Sequence, residues 1–227
     1  MTIFRIILLS LLVLLLATIA LGLWVHSRDQ AQVRRVRAAL EQTHEAAPPR
    51  YDPAMVADLP EIAQRYFARA IEPGTPLHRT VRLEMEGAFI LNGTSMPMTA
   101  RQILAPPARG FVWQAEVGTG LMRFAGSDGY HREGAREESW TKFWLRGLIP
   151  LARIGGTDDH ASAAATRVML EAVWAPASLL PQFGAEWVQT GPDSAEVRFA
   201  DMRDIAPMQI TLDAEGNPTE VWALRWT

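Results

Sequence analysis

Acid–base chemistry in this sequence would depend first on a short polar segment in the middle of the chain. Asp128, Tyr130, His131 and Glu133 carry the carboxylate, phenol and imidazole groups that enzymes use to move protons. Successive side chains of a strand point to opposite faces, which separates His131 from Tyr130 and Glu133. We therefore do not expect a general acid–base pair within this segment.

Metal binding would depend on three consecutive residues in the second half of the chain. Asp158, Asp159 and His160 offer oxygen and nitrogen ligands. Three adjacent side chains do not converge easily on one ion, whereas acidic groups are stabilised at the N-terminus of a helix. We predict that this segment caps the helix that follows it, and we predict neither a metal site nor a cofactor.

The common catalytic loop motifs are not present. Residues 126–129 read Gly-Ser-Asp-Gly, which lacks the spacing of a nucleophile elbow. The chain has no cysteine, which removes thiolate nucleophiles and cysteine-ligated metals. No catalytic residue is predicted. The alternative is a hydrolase acting on lipid or glycan that uses Asp128, His131 or Glu171.

One ion pair has the spacing to place polar atoms on the wall of a cavity. Arg167 and Glu171 lie four residues apart in an alanine-rich segment, Ala161–Ala172, which favours a helix. If this helix faces the concave side of a sheet, the pair becomes a polar patch on an apolar wall. Structural pairing is one interpretation of the two residues, and contact with a ligand is the other.

Large aromatic side chains give the clearest indication of a binding site. The chain contains eight tryptophans, and all but Trp24 lie beyond the apolar N-terminal segment. A core of this size rarely needs so many large rings, and a cavity lined by them is a common design for a ligand site. The predicted ligand-binding residues are Trp113, Trp140, Trp144, Arg167, Glu171, Trp174 and Trp187.

The N-terminal segment has the length of a membrane span. Residues Ile6–Val25 carry no charge, and about 20 helical residues cross the hydrocarbon core of a bilayer. Trp24 stands where an interfacial ring is expected. A cleaved signal peptide is the alternative, although its apolar region is shorter. We predict an uncleaved anchor over residues 1–27.

A juxtamembrane helix and a linker are predicted over residues 28–50. Val33, Val36 and Leu40 form one stripe of a helix from Gln32 to Glu45. Its arginines either hold anionic headgroups or form a solvated face. The sequence after this linker, residues 51–227, is predicted to form a single domain.

The remaining pattern indicates an α+β fold. Val81, Leu83 and Met85 alternate with charged residues, as a sheet with one wet face requires. Similar alternation recurs up to Trp226, and Ser127–Gly129 has the composition of a hairpin turn. We predict one strongly curved antiparallel sheet, a half-barrel, with helices packed on or inserted into its concave face.

Three motifs resemble an uncharacterised bacterial family of single-pass membrane proteins, known only as a domain of unknown function. They are the segments 59–67, 110–115 and 167–180. The resemblance covers the chain from about Asp52 onward and implies no activity. Members of the family often continue past the strand ending at Trp226. The layout is also similar to the half-barrel of bacterial lipoprotein-carrier proteins.

That second resemblance implies a location and a role for the aromatic segment 140–156. The half-barrel implies an extracytoplasmic domain attached to the inner (cytoplasmic) membrane, whereas the arginines after the span favour the opposite orientation. The segment would supply strand and rim residues at the open side of the cavity. Lys142, Arg146 and Arg153 would then reach toward lipid headgroups.

Taken together, these features predict a membrane-anchored envelope protein that binds an apolar or lipid-like ligand in a half-barrel cavity. The expected partners are membrane lipid, through the anchor, and an amphiphilic ligand, and the sequence identifies no protein partner. Nucleic acid is not expected, because the net charge is −3 and the charges are interspersed. The alternatives are an envelope hydrolase and an envelope scaffold that binds proteins through its exposed aromatic segment.

Overall fold

The fold combines three helices with two antiparallel sheets. The structure is a computed structural model that describes residues 2–42, 47–202 and 204–225. The helices are α1 (Thr2–Glu41), α2 (Glu61–Ala70) and α3 (Asp158–Glu171). The predicted α+β class is therefore correct. The end of the predicted juxtamembrane helix, residues 43–45, lies outside the described residues.

The larger sheet is a meander in which each strand pairs with its neighbours in sequence. Its strands are β1 (Val81–Leu91), β2 (Thr94–Ala105), β3 (Gly110–Val117), β4 (Phe124–Glu133), β5 (Arg136–Leu145) and β6 (Ile149–Gly155). The predicted turn at Ser127–Gly129 is wrong, because these residues lie inside β4. The flanking connections at 118–123 and 134–135 contain glycines with positive φ, which the tight chain reversals require.

The smaller sheet has four strands in the order β10-β9-β8-β7. These strands are β7 (Ala185–Gln189), β8 (Ser194–Phe199), β9 (Met208–Leu212) and β10 (Pro218–Trp222). The chain therefore forms two open sheets, where the sequence predicted one, and the described residues close no barrel. The last strand ends at Trp222 and not at Trp226, which lies outside the described residues.

Helix α1 covers one face of the larger sheet, which we call the α1 face. Val33, Val36 and Leu40 pack against a cluster that includes Ile103, Val112 and Trp140. The helix passes through the predicted boundary at residue 27 without a break. The valine and leucine stripe that predicted a juxtamembrane helix is thus a packing stripe, and most of the helix beyond the apolar segment belongs to the folded domain.

Helix α3 covers the other face, which we call the α3 face. Ala161, Ala164 and Ala165 allow the helix to approach the sheet closely, and Val168 and Met169 fill the space between them. The same core continues into the smaller sheet and α2, where Tyr66, Phe67 and Trp187 form a group of contacting rings. One continuous core therefore joins the two sheets.

Three hairpin connections lie together at one end of the larger sheet, because alternate turns of a meander fall on the same side. These connections, residues 92–93, 118–123 and 146–148, define what we call the tip end. Helix α1 passes this end on its way out of the domain. A Cβ placed on Gly22 would lie 3.2 Å from the carbonyl oxygen of Leu148, and the rings of His26 and Trp144 are 5.1 Å apart.

The first half of α1 extends beyond the tip end. This half of the helix is both long enough and apolar enough to cross a membrane. Its large apolar side chains are exposed along this length, and Leu9 and Val13, for example, retain 61% and 65% of their accessible surface. The coarse prediction of an N-terminal apolar helix of spanning length is thus confirmed.

Candidate functional site

A row of residues crosses the α3 face from strand to strand. Thr141 lies opposite Asp128, Asp128 opposite Trp113, and Trp113 opposite Gln102. Because cross-strand neighbours point to the same side of a sheet, these four side chains form one line on the α3 face. We call Gln102, Asp128 and Thr141 the polar row, with Trp113 between them.

Helix α3 lies along this line and binds it through charged groups. Arg167 donates from Nη1 to Asp128 at 2.6 Å and from Nε to Glu171 at 2.6 Å. Gln102 donates its amide to Glu171 at 2.5 Å. The guanidinium also stacks over the ring of Phe111, with its carbon 4.4 Å from the ring centroid. The predicted Arg167–Glu171 pair is present and faces the sheet.

The charges around the polar row do not cancel. One guanidinium faces two carboxylates, those of Asp128 and Glu171, so the group carries a formal charge of −1. The side chains keep between 12% and 20% of their exposure, which leaves the row accessible from one side. A ligand that reaches it meets hydrogen-bonding groups and a small excess of negative charge.

A second set of hydrogen bonds fixes the beginning of α3. Thr141 donates its hydroxyl proton to Asp128 at 2.9 Å and lies 3.1 Å from Nε2 of His160. With that proton committed, Thr141 accepts from Nε2–H, and in the neutral imidazole Nδ1 of His160 is then left to accept from Ser139 at 2.8 Å. The hydrogen bonds therefore run in one direction from Ser139 to Asp128.

This arrangement was not predicted, because no local spacing links Ser139 to His160. A hydroxyl that donates to a histidine is a nucleophile geometry in principle. Ser139 is only 5% exposed and lies under α3, so its hydroxyl is covered in this structure. The hydrogen bonds instead hold α3 to β5. The helix is capped by Thr157, whose hydroxyl accepts from the backbone N–H of His160, and not by the predicted aspartates.

An apolar patch lies between the polar row and the tip end. Apart from Trp113 in the row itself, its residues are Met85, Phe89, Met96, Met98, Ala100, Ala115, Val117, Phe124, Phe143 and Leu145. All of them belong to β1–β5 and share the α3 face. Within the part of the chain that the structure describes, α1–α3 contribute nothing to this cluster. Met98 and Phe143, among others, keep partial exposure.

The rings of the apolar patch touch across several strands. Phe124 lies 6.0 Å from Phe89 and 5.9 Å from Phe143, measured between ring centroids. Trp113 is 6.2 Å from Phe143 and so connects the apolar patch with the polar row. The α3 face thus has a polar boundary at the level of α3 and a continuous aromatic and methionine surface beyond it.

The structure brings together only part of the predicted ligand-binding set. Trp113, Arg167 and Glu171 meet at the polar row. Trp140 and Trp144 lie on the α1 face, where their N–H groups donate to Ser127 and Asp29. These two rings are buried under α1.

The other two predicted tryptophans lie away from the polar row. Trp187 packs in the core near the smaller sheet and donates to the carbonyl of Leu179 at 2.9 Å. Trp174 follows α3 and is 51% exposed.

Tyr130 and His131 lie on opposite faces of the sheet, as strand alternation predicted, but the predicted separation of His131 from Glu133 is wrong, because these two residues are two apart in β4 and share a face. Tyr130 points to the α3 face, donates to Glu137, and has its pKa raised by burial. His131 points to the α1 face, and burial lowers its pKa below 6.5. Asp128 and Glu171 meet only through Arg167. Among the described residues, no three acidic or histidine side chains are grouped as metal ligands would be.

Three grooves among the described residues run along α1, on the side opposite the polar row. One of about 610 Å³ lies between α1 and the strands β5 and β6, with Arg28, Asp29, Lys142 and Arg153 among its lining residues. Asp29 accepts from both Lys142 and Arg153 at 2.8 Å. Ion pairs thus line this groove and attach α1 to the sheet.

These features define a class of protein: an apolar N-terminal helix that continues into an α+β domain with two antiparallel sheets. The chain belongs to the family of unknown function DUF6544, whose family model matches residues 49–227. The predicted resemblance to a family of unknown function is therefore confirmed. No curated protein and no solved structure matches the chain, so nothing supports a relationship with lipoprotein carriers.

Proposed function

We propose that this protein is a membrane-anchored domain that binds an apolar or lipid-like ligand on the α3 face of its larger sheet. The apolar patch carries the proposal. Within the described ranges of the chain, only sheet residues form this aromatic and methionine surface, and it stays partly exposed. Exposed apolar patches of this kind are typical of ligand grooves and interaction sites.

One contact between two rings supports a groove on the α3 face rather than a flat surface. Phe89 is in β1 and Phe124 is in β4, three strand spacings away, which is about 14 Å in a flat sheet. Their ring centroids are nevertheless 6.0 Å apart. Such a contact is expected when the apolar side of the sheet is concave, as in a half-barrel.

The position of the anchor supports lipid as the ligand. The apolar patch extends from the polar row to the tip end, and α1 leaves the domain at this same end. An acyl chain on the patch would point toward the bilayer. Its head would reach Arg167, Asp128 and Glu171, whose summed charge of −1 favours a neutral or cationic head over an anionic one.

The experiment is lipid analysis of the full-length protein extracted with its surrounding membrane in polymer discs and then transferred to detergent. We expect a co-purifying amphiphile in native mass spectra of the wild-type protein. Met98→Glu places a charge on the apolar patch and should abolish this species, as well as the binding of a fluorescent long-chain alcohol. A wild-type protein that is folded and consistently empty would refute the proposal.

The matched control for this experiment is the next residue of the same strand. Thr99 is exposed and points to the α1 face, so Thr99→Glu adds the same charge on the opposite side. We expect Thr99→Glu to retain the ligand. Equal loss in both variants would mean that the added charge, and not the apolar patch, controls binding.

We also propose that α1 is an uncleaved anchor in the inner (cytoplasmic) membrane and that the domain is extracytoplasmic. The packing of Gly22 and His26 against the tip end supports an anchor that is retained after insertion. Arg35 and Arg37 bind Glu138 and Gln114 of the sheet, which gives these cations a structural role beside any effect on orientation. A phosphatase fused to the C-terminus should be active, and activity only of a cytoplasmic reporter would reverse this orientation.

A further inference from the structure

We propose that the tip end of the larger sheet rests in the membrane interface. The domain would then contact the lipid bilayer through its hairpin connections as well as through the anchor. This surface consists of Ile90, Leu91, Leu121, Met122, Leu148 and Ile149. The inference rests on the proposed membrane anchor, concerns how the domain sits on the bilayer, and does not depend on the proposed ligand.

The composition of these connections is unusual for turns in water. Leu121 is 82% exposed, Met122 68% and Ile90 71%. Turns are normally built from small and polar residues, and apolar side chains this exposed, grouped at one end of a sheet, mark a surface that meets a nonaqueous partner.

The position at which the spanning part of α1 ends identifies that partner as the bilayer. About 20 residues of helix cross the hydrocarbon core, which places its boundary near Trp24 when the span begins near Ile6. Gly22 lies within the last turn of this span, and a Cβ on this residue would point at the carbonyl oxygen of Leu148. The connection at 146–148 is therefore at the level of the interface.

Hydrogen bonds join two of the connections into one surface. Arg146 donates from Nη1 to the carbonyl oxygen of Gly120 at 3.0 Å, and its backbone N–H donates to Arg123 at 3.3 Å. The connections at 118–123 and 146–148 are thus held side by side. When one of them reaches the interface, the other reaches it as well.

The charges near these connections suit a headgroup layer. Arg28, Arg123 and Arg146 are exposed at this end, and Arg28 stacks on the interfacial ring of Trp24 at 5.0 Å. Arginines beside apolar side chains are the arrangement expected at a boundary between phosphate groups and acyl chains. Apolar side chains would enter the outer acyl region while the guanidinium groups remain among the phosphates.

The absence of cysteine makes a direct test possible, because single cysteines can be labelled without a background. We would place the environment-sensitive fluorophore NBD at Leu121→Cys and Ile90→Cys in the full-length protein. The protein would be reconstituted in nanodiscs of phosphatidylethanolamine and phosphatidylglycerol, with and without a doxyl-labelled phospholipid that quenches the fluorophore. Leu23→Cys on the exposed span is the membrane-embedded control. Ala135→Cys, at the opposite end of the sheet, is the aqueous control.

We expect labels at positions 121 and 90 to be blue-shifted and to be quenched by the doxyl lipid nearly as strongly as the label at position 23. Quenching as weak as that at position 135 would overturn the inference. A blue shift without lipid quenching would also overturn it, because it would mean that protein covers these side chains.

A second variant separates membrane contact from misfolding. Leu121→Glu combined with Met122→Glu changes only side chains that are already exposed, so folding should be retained. We expect it to weaken lipid quenching of a label at Leu148→Cys, because the two connections move together. Repeating the measurement in the Met98→Glu background distinguishes the two proposals, since contact at the tip end should persist when the ligand is lost.

Discussion

Arg167 and Asp128 join α3 to the middle of the larger sheet through a hydrogen bond of 2.6 Å. The two residues are far apart in sequence, and their contact places the helix across the strands at a fixed level. On the α3 face, none of the described helices covers the sheet on the tip side of this contact, whereas on the other side α3 packs the sheet into the core that the two sheets share. The ion pair therefore marks the inner limit of the proposed ligand groove.

Replacing this guanidinium should destabilise the domain. Arg167→Met keeps packing on Phe111 but leaves Asp128 and Glu171 facing each other without a cation. Breaking a buried pair costs about 3–5 kcal/mol, and partial exposure here reduces our expectation to about 2–3 kcal/mol. Urea unfolding followed by tryptophan fluorescence in detergent would measure it.

The control for this variant is Arg198→Met, whose partner Glu196 is more exposed. We expect a cost of about 0–1 kcal/mol there. Equal costs at the two positions would mean that Arg167 is no more than a surface ion pair.

Glu171 allows a test of the charge of the proposed ligand site. Glu171→Leu leaves Arg167 paired with Asp128, so the site becomes neutral and the fold should lose only about 1 kcal/mol. We expect this variant to accept a fluorescent fatty acid that the wild-type protein binds weakly. Glu171→Lys places a second cation next to Arg167 and should melt at a lower temperature than Glu171→Leu. Unchanged melting and unchanged selectivity in both variants would contradict this role of Glu171.

Two glycines of the larger sheet should respond in opposite ways to alanine. A Cβ on Gly129 would overlap the indole ring of Trp140, whereas nothing lies within 4 Å of a Cβ on Gly87. We expect Gly129→Ala to lower the free energy of unfolding by about 1–3 kcal/mol through overpacking. Gly87→Ala should raise it slightly, by less than about 1 kcal/mol, because alanine loses less backbone entropy. Chemical unfolding of both variants would decide between these outcomes.

Acid should loosen the α1 face in two steps. Burial lowers the pKa of His131 below 6.5, so the unfolded chain binds a proton first and stability falls as the pH drops below about 6.5. Burial alone would raise the pKa of Glu138, but hydrogen bonds from Arg35 and Gln32 outweigh it and hold this pKa below 4.5. The stabilisation from Glu138 is therefore complete above about pH 4.5 and is lost below it.

Unfolding measured at a series of pH values would resolve the two steps. His131→Gln should remove the step near pH 6.5, and Glu138→Gln should remove the step below pH 4.5. A profile that neither substitution alters would show that other groups control the acid response.

The sequence predicted best where the pattern was local. Period-two alternation in Val81, Leu83 and Met85 correctly assigned β1, and the four-residue spacing of Arg167 and Glu171 correctly predicted their pair. The composition of Ser127–Gly129 led to the prediction of a turn, although these residues lie inside β4. Gly129 is there because Trp140 covers it, and this packing across strands leaves no local trace in the sequence.

The candidate site was predicted only in part for the same reason. Tryptophan content indicated a ligand site, but the number of rings does not tell which face each occupies. Trp140 and Trp144 are spaced to share a face, and only the docking of α1 shows that this face is covered. The alignment of Gln102, Asp128 and Thr141 depends on strand register, which the positions of the turns determine. With one turn wrongly placed, that alignment could not be derived.

Under the function proposed above, helix α1 would determine how the domain searches for its ligand. It runs as a single helix of 40 residues from the apolar segment to the far side of the sheet, and the domain is packed against its second half. A lipid carrier that travels between membranes needs either release from its anchor or a flexible tether. A domain fixed to a continuous helix has neither, so it encounters ligands by lateral diffusion, in two dimensions. Its rate of loading should therefore depend on the surface density of the lipid in its own bilayer and be insensitive to vesicles added from outside.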